Sequence, residues 1–169
     1  MSVEHKQEAP SSVRCKVITV SDTRDETTDR SGQLMQQLLK ENHHEIIDYE
    51  IVKDERGAIE IAIRSGLADE SIDAILLNGG TGIAKRDVTI EVVHALLDKE
   101  MQGFGELFRL LSYQEDIGTA AILSRATAGV AHNKAIFATP GSSGAVTLAM
   151  KRLILPEIGH VIREIRKDL

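Results

Sequence analysis

At 169 residues, with 42% hydrophobic and 27% charged side chains, the chain has enough apolar material for one domain with a sizeable core. A formal net charge of −6 argues against a non-specific nucleic-acid binder, and three Phe, two Tyr and no Trp leave little for base stacking. The single cysteine, Cys15, excludes an internal disulfide, and no apolar run approaches the ~20 residues of a membrane span, so a cytoplasmic protein is expected.

Residues 1–12 are polar, carry Pro10 and show no periodicity; they read as a mobile tail ahead of a single domain over 13–169. Lys16–Val20 is β-branched and predicts the first strand, followed by Ser21–Asp29, a loop dense in hydroxyls and carboxylates. Leu34, Met35, Leu38 and Leu39 make the stripe of a helix over Ser31–Asn42. Glu45–Val52 predicts a strand, with Ile47, Tyr49 and Ile51 alternating against Asp48 and Glu50. Asp54 stands where the N-cap of the next helix, Glu55 to Ala68, belongs.

Ala74–Leu77 is a short apolar run of the kind found in buried parallel strands, and it breaks into Asn78-Gly79-Gly80-Thr81-Gly82. Three glycines in four positions let a ligand approach the backbone, and successive amides can cradle an anion. A helix over Thr89–Leu97 follows, with Thr89 as its natural N-cap and Glu91 in its first turn, which leaves Asp87 outside the cap. Phe104–Tyr113 predicts a further helix. Ala120–Leu123 and Ala135–Ala138 read as two more strands, and the second ends in the turn Thr139–Gly144. Two helices close the chain, the last one after Pro156.

Strands alternating with helices predict a three-layer α/β/α sandwich, Rossmann-like, with a mostly parallel central sheet. Loops at the carboxyl ends of its strands converge on one crevice. No G-x-x-x-x-G-K-[ST] occurs, and Lys85 sits where the third glycine of a dinucleotide fingerprint belongs, so neither a P-loop nor a nicotinamide site is supported. His43, His44, His94, His132 and His160 show no metal-ligand spacing, and Ser142 lacks the G-x-S-x-G elbow. Asp54 and Asp87 beside a phosphate cradle suit Mg²⁺, although position alone favours a capping role for Asp54. Arg109 and Arg125 are candidates to pair with phosphate, with helix-surface and strand-end positions as the plainer explanation of each.

Six motifs in order run from about Arg14 to the C-terminus: VSDTR (Val20–Arg24), DRSG (Asp29–Gly32), NGGTGIAKRDVT (Asn78–Thr89), GFGELFR (Gly103–Arg109), AILSRATAG (Ala121–Gly129) and ATPGSSGAV (Ala138–Val146). Together they resemble the molybdenum cofactor biosynthesis proteins of the molybdopterin adenylyltransferase type. The resemblance implies a molybdopterin-binding fold assembled as a homotrimer or homohexamer. It implies transfer of an adenylyl group from ATP to molybdopterin, with Mg²⁺, in company with other molybdenum cofactor biosynthesis proteins. By the same resemblance Asp54 and Asp87 are the two functional, metal-associated aspartates, which reverses the capping preference for Asp54. Gly79, Gly80, Thr81 and Gly82 line the substrate crevice, Ser112, Ser124 and Arg125 lie on the pterin side, and Pro140, Gly141 and Ser142 form a second crevice loop. Ile90 stands where the family commonly has proline; proline there only pre-organises a helix start. The alternative to an enzyme is a non-catalytic molybdopterin carrier or scaffold in the same pathway.

Overall fold

The computed structural model describes residues 8–169, so most of the expected N-terminal tail, residues 1–7, lies outside the described residues. Six strands form one sheet in the order β2-β1-β3-β6-β5-β4. The strands are β1 (Arg14–Val20), β2 (Glu45–Val52), β3 (Ala74–Asn78), β4 (Lys99–Glu100), β5 (Thr127–Ala131) and β6 (Lys134–Thr139). β2, β1, β3 and β6 are mutually parallel, whereas β5 runs antiparallel to both its neighbours, β6 and the edge strand β4.

The period of two in the strands sorts their side chains into two cores. Cys15, Val17, Leu76 and Phe137 face one layer, made by α1 (Arg30–Glu41), α4 (Gln102–Glu115), α5 (Ser143–Ala149) and α6 (Leu155–Arg166). Ile18, Val20, Ile75, Leu77 and Ile136 face the other, made by α2 (Arg56–Ala68) and α3 (Thr89–Leu96). The three-layer, mostly parallel α/β fold is therefore as the alternation of elements predicts. Because β1, β3 and β6 run the same way, the loops after Val20, Asn78 and Thr139 all leave at one end of the sheet. That end carries the crevice.

Two local expectations are corrected. Ala120–Leu123 is no strand: Gly118–Leu123 is a 3₁₀ helix, entered through Gly118 at φ +60°, with Ile122 84% exposed. The strand lies further on, at Thr127–Ala131, and closes a hairpin onto β6 through His132 and Asn133, both at positive φ. Two such residues make the turn whose twist matches antiparallel strands. The two closing helices form one continuous rod, in which a π-helical turn, Met150–Ile154, joins α5 to α6. Pro156 cannot donate to a carbonyl four residues back, and the wider turn ahead of it accommodates the mismatch.

On β2 the register slips between Cys15 and Lys16, so that Ile47 is an extra, partly exposed residue opposite no partner. The bulge aims Asp48 and Glu50 at Lys16, whose Nζ lies 3.0 and 3.2 Å from their carboxylates. A lysine in the buried middle of β1 thus reaches its counter-charges at the sheet edge. Among the described residues no helix is long and apolar enough to cross a membrane.

Candidate functional site

β3 ends at Asn78, whose buried amide donates to Thr19 Oγ1 at 2.9 Å and ties the ends of the two central strands together. The chain then turns through Gly79 at φ +94° and Gly80 at φ +65°. Both lie in the left-handed region that L side chains rarely adopt. A Cβ at Gly79 would meet Val20 O at 2.3 Å, and one at Gly80 would meet Thr89 Oγ1 at 2.4 Å and Asp54 Oδ1 at 2.9 Å. The glycine turn is thus wedged between β1 and α3, and no larger residue fits.

The amides of this turn divide into two sets. Gly79 N donates to Thr139 O at 3.1 Å and is spent on joining the glycine loop to the end of β6. The amides of Gly80, Thr81 and Gly82 have no protein acceptor among the described residues. The cradle expected from four residues therefore has three free donors.

Arg125 holds this loop from behind. Its Nε donates to Thr81 O at 2.9 Å, and its Nη2 to Gly82 O at 2.7 Å and Asp87 O at 3.3 Å, while Nη1 pairs with Glu91. The guanidinium therefore fixes the shape of the loop. That is a more specific role than a free counter-charge at a strand end.

Asp87 lies outside the helix cap as expected, but its Oδ2 accepts from Ala84 N at 3.1 Å and closes the turn Ala84–Asp87. Thr89 is not the N-cap of α3. Val88 holds that position, and Thr89 is carried inside the first turn, fully buried.

Asp54 does not cap α2 either. Glu55 is the N-cap residue and makes no side-chain cap bond. The Asp54 side chain turns inward instead, and its Oδ1 is buried beside Gly80 with no hydrogen-bond partner. Burial raises its pKa above the ordinary aspartate value, the Asp87 and Asp22 carboxylates push it further in the same direction, and Arg86 opposes them. Asp22 links the parts: Oδ1 accepts from Asp54 N at 3.1 Å, and Oδ2 pairs with Arg86 of the glycine loop.

Two clefts flank this centre. One of ≈ 290 Å³ lies between Thr19, Asp29, Asn78, Gly79, Gly141 and Ser142, rimmed by Arg24 and Arg30. Asp29 is buried there as the N-cap of α1, accepting from Gly32 N at 2.9 Å and from the Tyr49 hydroxyl at 2.5 Å. Burial and the neighbouring Asp29 together hold the Tyr49 phenol well above its usual range. Ser31 Oγ donates to Gly141 O at 2.5 Å, and Ser142 caps α5 by accepting from Ala145 N at 3.1 Å. The other cleft, ≈ 410 Å³, is lined by Arg56, Lys85, Asp87, Glu91 and Arg125.

Gly79–Gly82, Asp54, Asp87, Arg125, Gly141 and Ser142 therefore meet at the carboxyl end of the sheet, with Pro140 in the loop between β6 and Gly141. Ser112 and Ser124 do not join them: Ser112 is buried on α4, Ser124 ends the 3₁₀ helix, and neither lines either cleft. Arg109 likewise lines neither. Asp22, Asp29 and Thr89 are crevice residues beyond those the sequence points to, although each stands inside one of the six motifs.

A family model described as "Probable molybdopterin binding domain" matches residues 16–160 of the chain. Molybdenum cofactor biosynthesis protein B of Bacillus subtilis (strain 168) is 66% identical over 169 residues, covering 99% of each chain. The chain belongs to the molybdenum cofactor biosynthesis protein B family. A crystal structure of a molybdenum cofactor biosynthesis protein B superposes with a TM-score of 0.92 at 59% identity, over 95% of this chain and 99% of that one. The structure of the molybdopterin biosynthesis enzyme MoaB from Thermus thermophilus gives a TM-score of 0.79 at 33% identity, over 92% of this chain and 97% of that one.

The donor set of this protein B family member can be tested against Mg²⁺. No group of three or more His, Cys, Asp or Glu side chains among the described residues is arranged to enclose a metal. Mg²⁺ does not require one, since it is commonly held by one or two carboxylates with substrate phosphate oxygens and water. An unpartnered buried carboxylate oxygen on Asp54, in the field of Asp87 and Asp22, supplies hard oxygen donors and excess negative charge, and so fits that habit. Cys15 offers nothing comparable, because burial and then Asp73 push its thiol up to about 12.

Proposed function

We propose that the chain adenylylates molybdopterin. In this reading a phosphate oxygen of molybdopterin attacks the α-phosphorus of ATP and forms a new P–O bond. The bond from that phosphorus to the α–β bridging oxygen breaks, and diphosphate leaves with the electron pair. The observation that carries the reading is Asp54 Oδ1, buried, unpartnered and set against the glycine turn between the carboxylates of Asp87 and Asp22. A carboxylate buried in a field of like charge is one that a bound cation stabilises. Mg²⁺ held by Asp54 and Asp87 would neutralise charge on the reacting phosphates.

The chain's own groups position the rest. The free amides of Gly80, Thr81 and Gly82 donate to phosphate oxygens from a loop that Arg125 keeps in shape. Hydroxyls of Thr19 and Ser31, with Arg24 and Arg30 at the rim, offer polar partners in the adjoining cleft. No covalent intermediate on the protein is required. Assembly into a trimer or hexamer belongs to the same proposal, supported by exposed Leu107, Leu110 and Tyr113 on α4, Ile122 on the 3₁₀ helix and Ile117 between them.

One observation favours a carrier instead. Arg125 and Arg86 are engaged with Glu91 and Asp22, which leaves fewer cations to meet a triphosphate. Incubation with ATP, Mg²⁺ and molybdopterin, followed by mass spectrometry of the pterin and a diphosphate assay, separates the two. Adenylyl-molybdopterin should form, and Asp54→Asn should lose turnover more than pterin binding. Pterin binding without ATP consumption establishes the carrier.

A further inference from the structure

Two oxygens in the crevice are buried without a hydrogen-bond partner, Asp54 Oδ1 and Thr89 Oγ1. Thr89 is the more informative, because its residue is 0% exposed and α3 does not use it as a cap. A hydroxyl left unpaired in the interior costs free energy that a valine of the same shape avoids. The hydroxyl is also held in place: Thr89 N donates to Gly80 O at 3.0 Å and fixes the start of α3 to the glycine turn. A Cβ at Gly80 would lie 2.4 Å from Thr89 Oγ1 and 2.9 Å from Asp54 Oδ1, so both oxygens converge on one point. The two oxygens are therefore no more than about 5.3 Å apart with no direct hydrogen bond between them, a gap that one bridging water or a small shift of either side chain closes.

The neighbours of Asp54 make a neutral donor there valuable. Asp87 and Asp22 repel its carboxylate, and Arg86 is committed to Asp22. An ionised carboxylate accepts hydrogen bonds only, and threonine carries the O–H to satisfy one of its oxygens without cancelling its charge.

We propose that Thr89 is a positioning residue for Asp54. In the loaded crevice its hydroxyl donates to Asp54 Oδ1, directly or through one water, and leaves Oδ2 to face the cation and substrate with the carboxylate still ionised. This rests on the adenylylation reading given above, and it adds a residue whose role is to orient the aspartate.

The test compares the full-length wild type with Thr89→Val and Thr89→Ser in three measurements: thermal melting, Mn²⁺ binding in the presence of ATP by electron paramagnetic resonance, and turnover. Thr89→Val should melt at the same or a higher temperature, because it removes an orphaned polar group. It should bind Mn²⁺ more weakly and lose kcat by roughly tenfold or more, the scale of one hydrogen bond to a charged group. KM for ATP should change little, and Thr89→Ser should recover both Mn²⁺ binding and kcat. An active wild type with a Thr89→Val variant equal to it in kcat and Mn²⁺ affinity overturns the role of Thr89 alone. So does a Val variant that melts several degrees lower and a Ser variant that restores nothing, which is the pattern of a packing residue. A wild type that forms no adenylylated product overturns the adenylylation reading, and this inference with it.

Discussion

Gly80→Ala tests whether the crevice is built around one backbone conformation. Gly80 sits at φ +65°, and placing an L residue there costs about 1–2 kcal/mol. The added methyl also approaches Thr89 Oγ1 at 2.4 Å, Asp54 Oδ1 at 2.9 Å and Val20 Cγ1 at 3.0 Å. Thr89 and Val20 belong to packed elements, so relieving the overlap displaces α3 or β1, a further cost of about 1–3 kcal/mol. The lower entropy of an unfolded alanine returns about 0.4–1 kcal/mol. The net loss is about 2–4 kcal/mol, and for a chain of this length that lowers the melting temperature by roughly 5–15 °C. Gly57→Ala is the control: a Cβ there meets nothing within 4 Å, and alanine in the first turn of α2 should stabilise the chain by up to about 1 kcal/mol. Thermal and urea denaturation of both variants, with pterin binding by calorimetry, make the comparison. A Gly80→Ala protein that melts with the wild type and binds pterin equally refutes the account of the turn.

Asp54→Asn should raise the melting temperature while it removes activity. Burial, then Asp87 and Asp22, disfavour the ionised carboxylate, so the folded pKa is raised and the native state gives up stability as pH climbs through it. The gain of the variant should therefore be present at neutral pH and shrink on acidification; a variant less stable than wild type at pH 7 contradicts it. Asp73 behaves oppositely. Its burial resists ionisation, but hydrogen bonds from the Arg14 side chain and backbone, with the charge of Arg166, outweigh that and hold its pKa below the usual value. Asp73→Asn should cost about 2–3 kcal/mol at neutral pH, and the difference should begin to shrink as pH falls below about 4, where the unfolded aspartate protonates, and vanish once pH passes below the lowered folded pKa. Denaturation curves at pH 7 and pH 3 measure this, and a pH-independent difference refutes it. Arg125→Lys should weaken pterin binding roughly tenfold, because one ammonium cannot span Thr81 O, Gly82 O and Glu91 together. Faster amide exchange at Gly80–Gly82 should accompany the loss, and unchanged affinity and exchange would show that the loop stands without the guanidinium.

Much of the architecture was legible because its signals are local. Val17–Val20 and Ala74–Leu77 are apolar on both faces, as strands covered by helices on both sides must be, and the stripe of Met35, Leu38 and Leu39 needs no tertiary information. β5 was hidden because Thr-Ala-Gly-Val-Ala has few of the bulky residues that mark a strand, and its stability comes from pairing with β6 and burial under α4. Ala120–Leu123 misled for the complementary reason: a short apolar run has no period of its own, and without a neighbouring strand it stayed a 3₁₀ turn.

The crevice shows the same division more sharply. By itself the sequence determined that a strand would end in a glycine turn next to Asp87, since glycine's freedom at positive φ and the break in the apolar run are properties of the residues there. Only the tertiary structure decided what Asp54 and Thr89 do. Both occupy positions where a polar side chain ordinarily caps a helix, and position along the chain carries no information about which way a side chain turns. Packing of α2 and α3 against the glycine turn directs both inward and buries their oxygens side by side. An interaction between residues far apart in sequence is written in neither segment alone, and this site is made of such interactions.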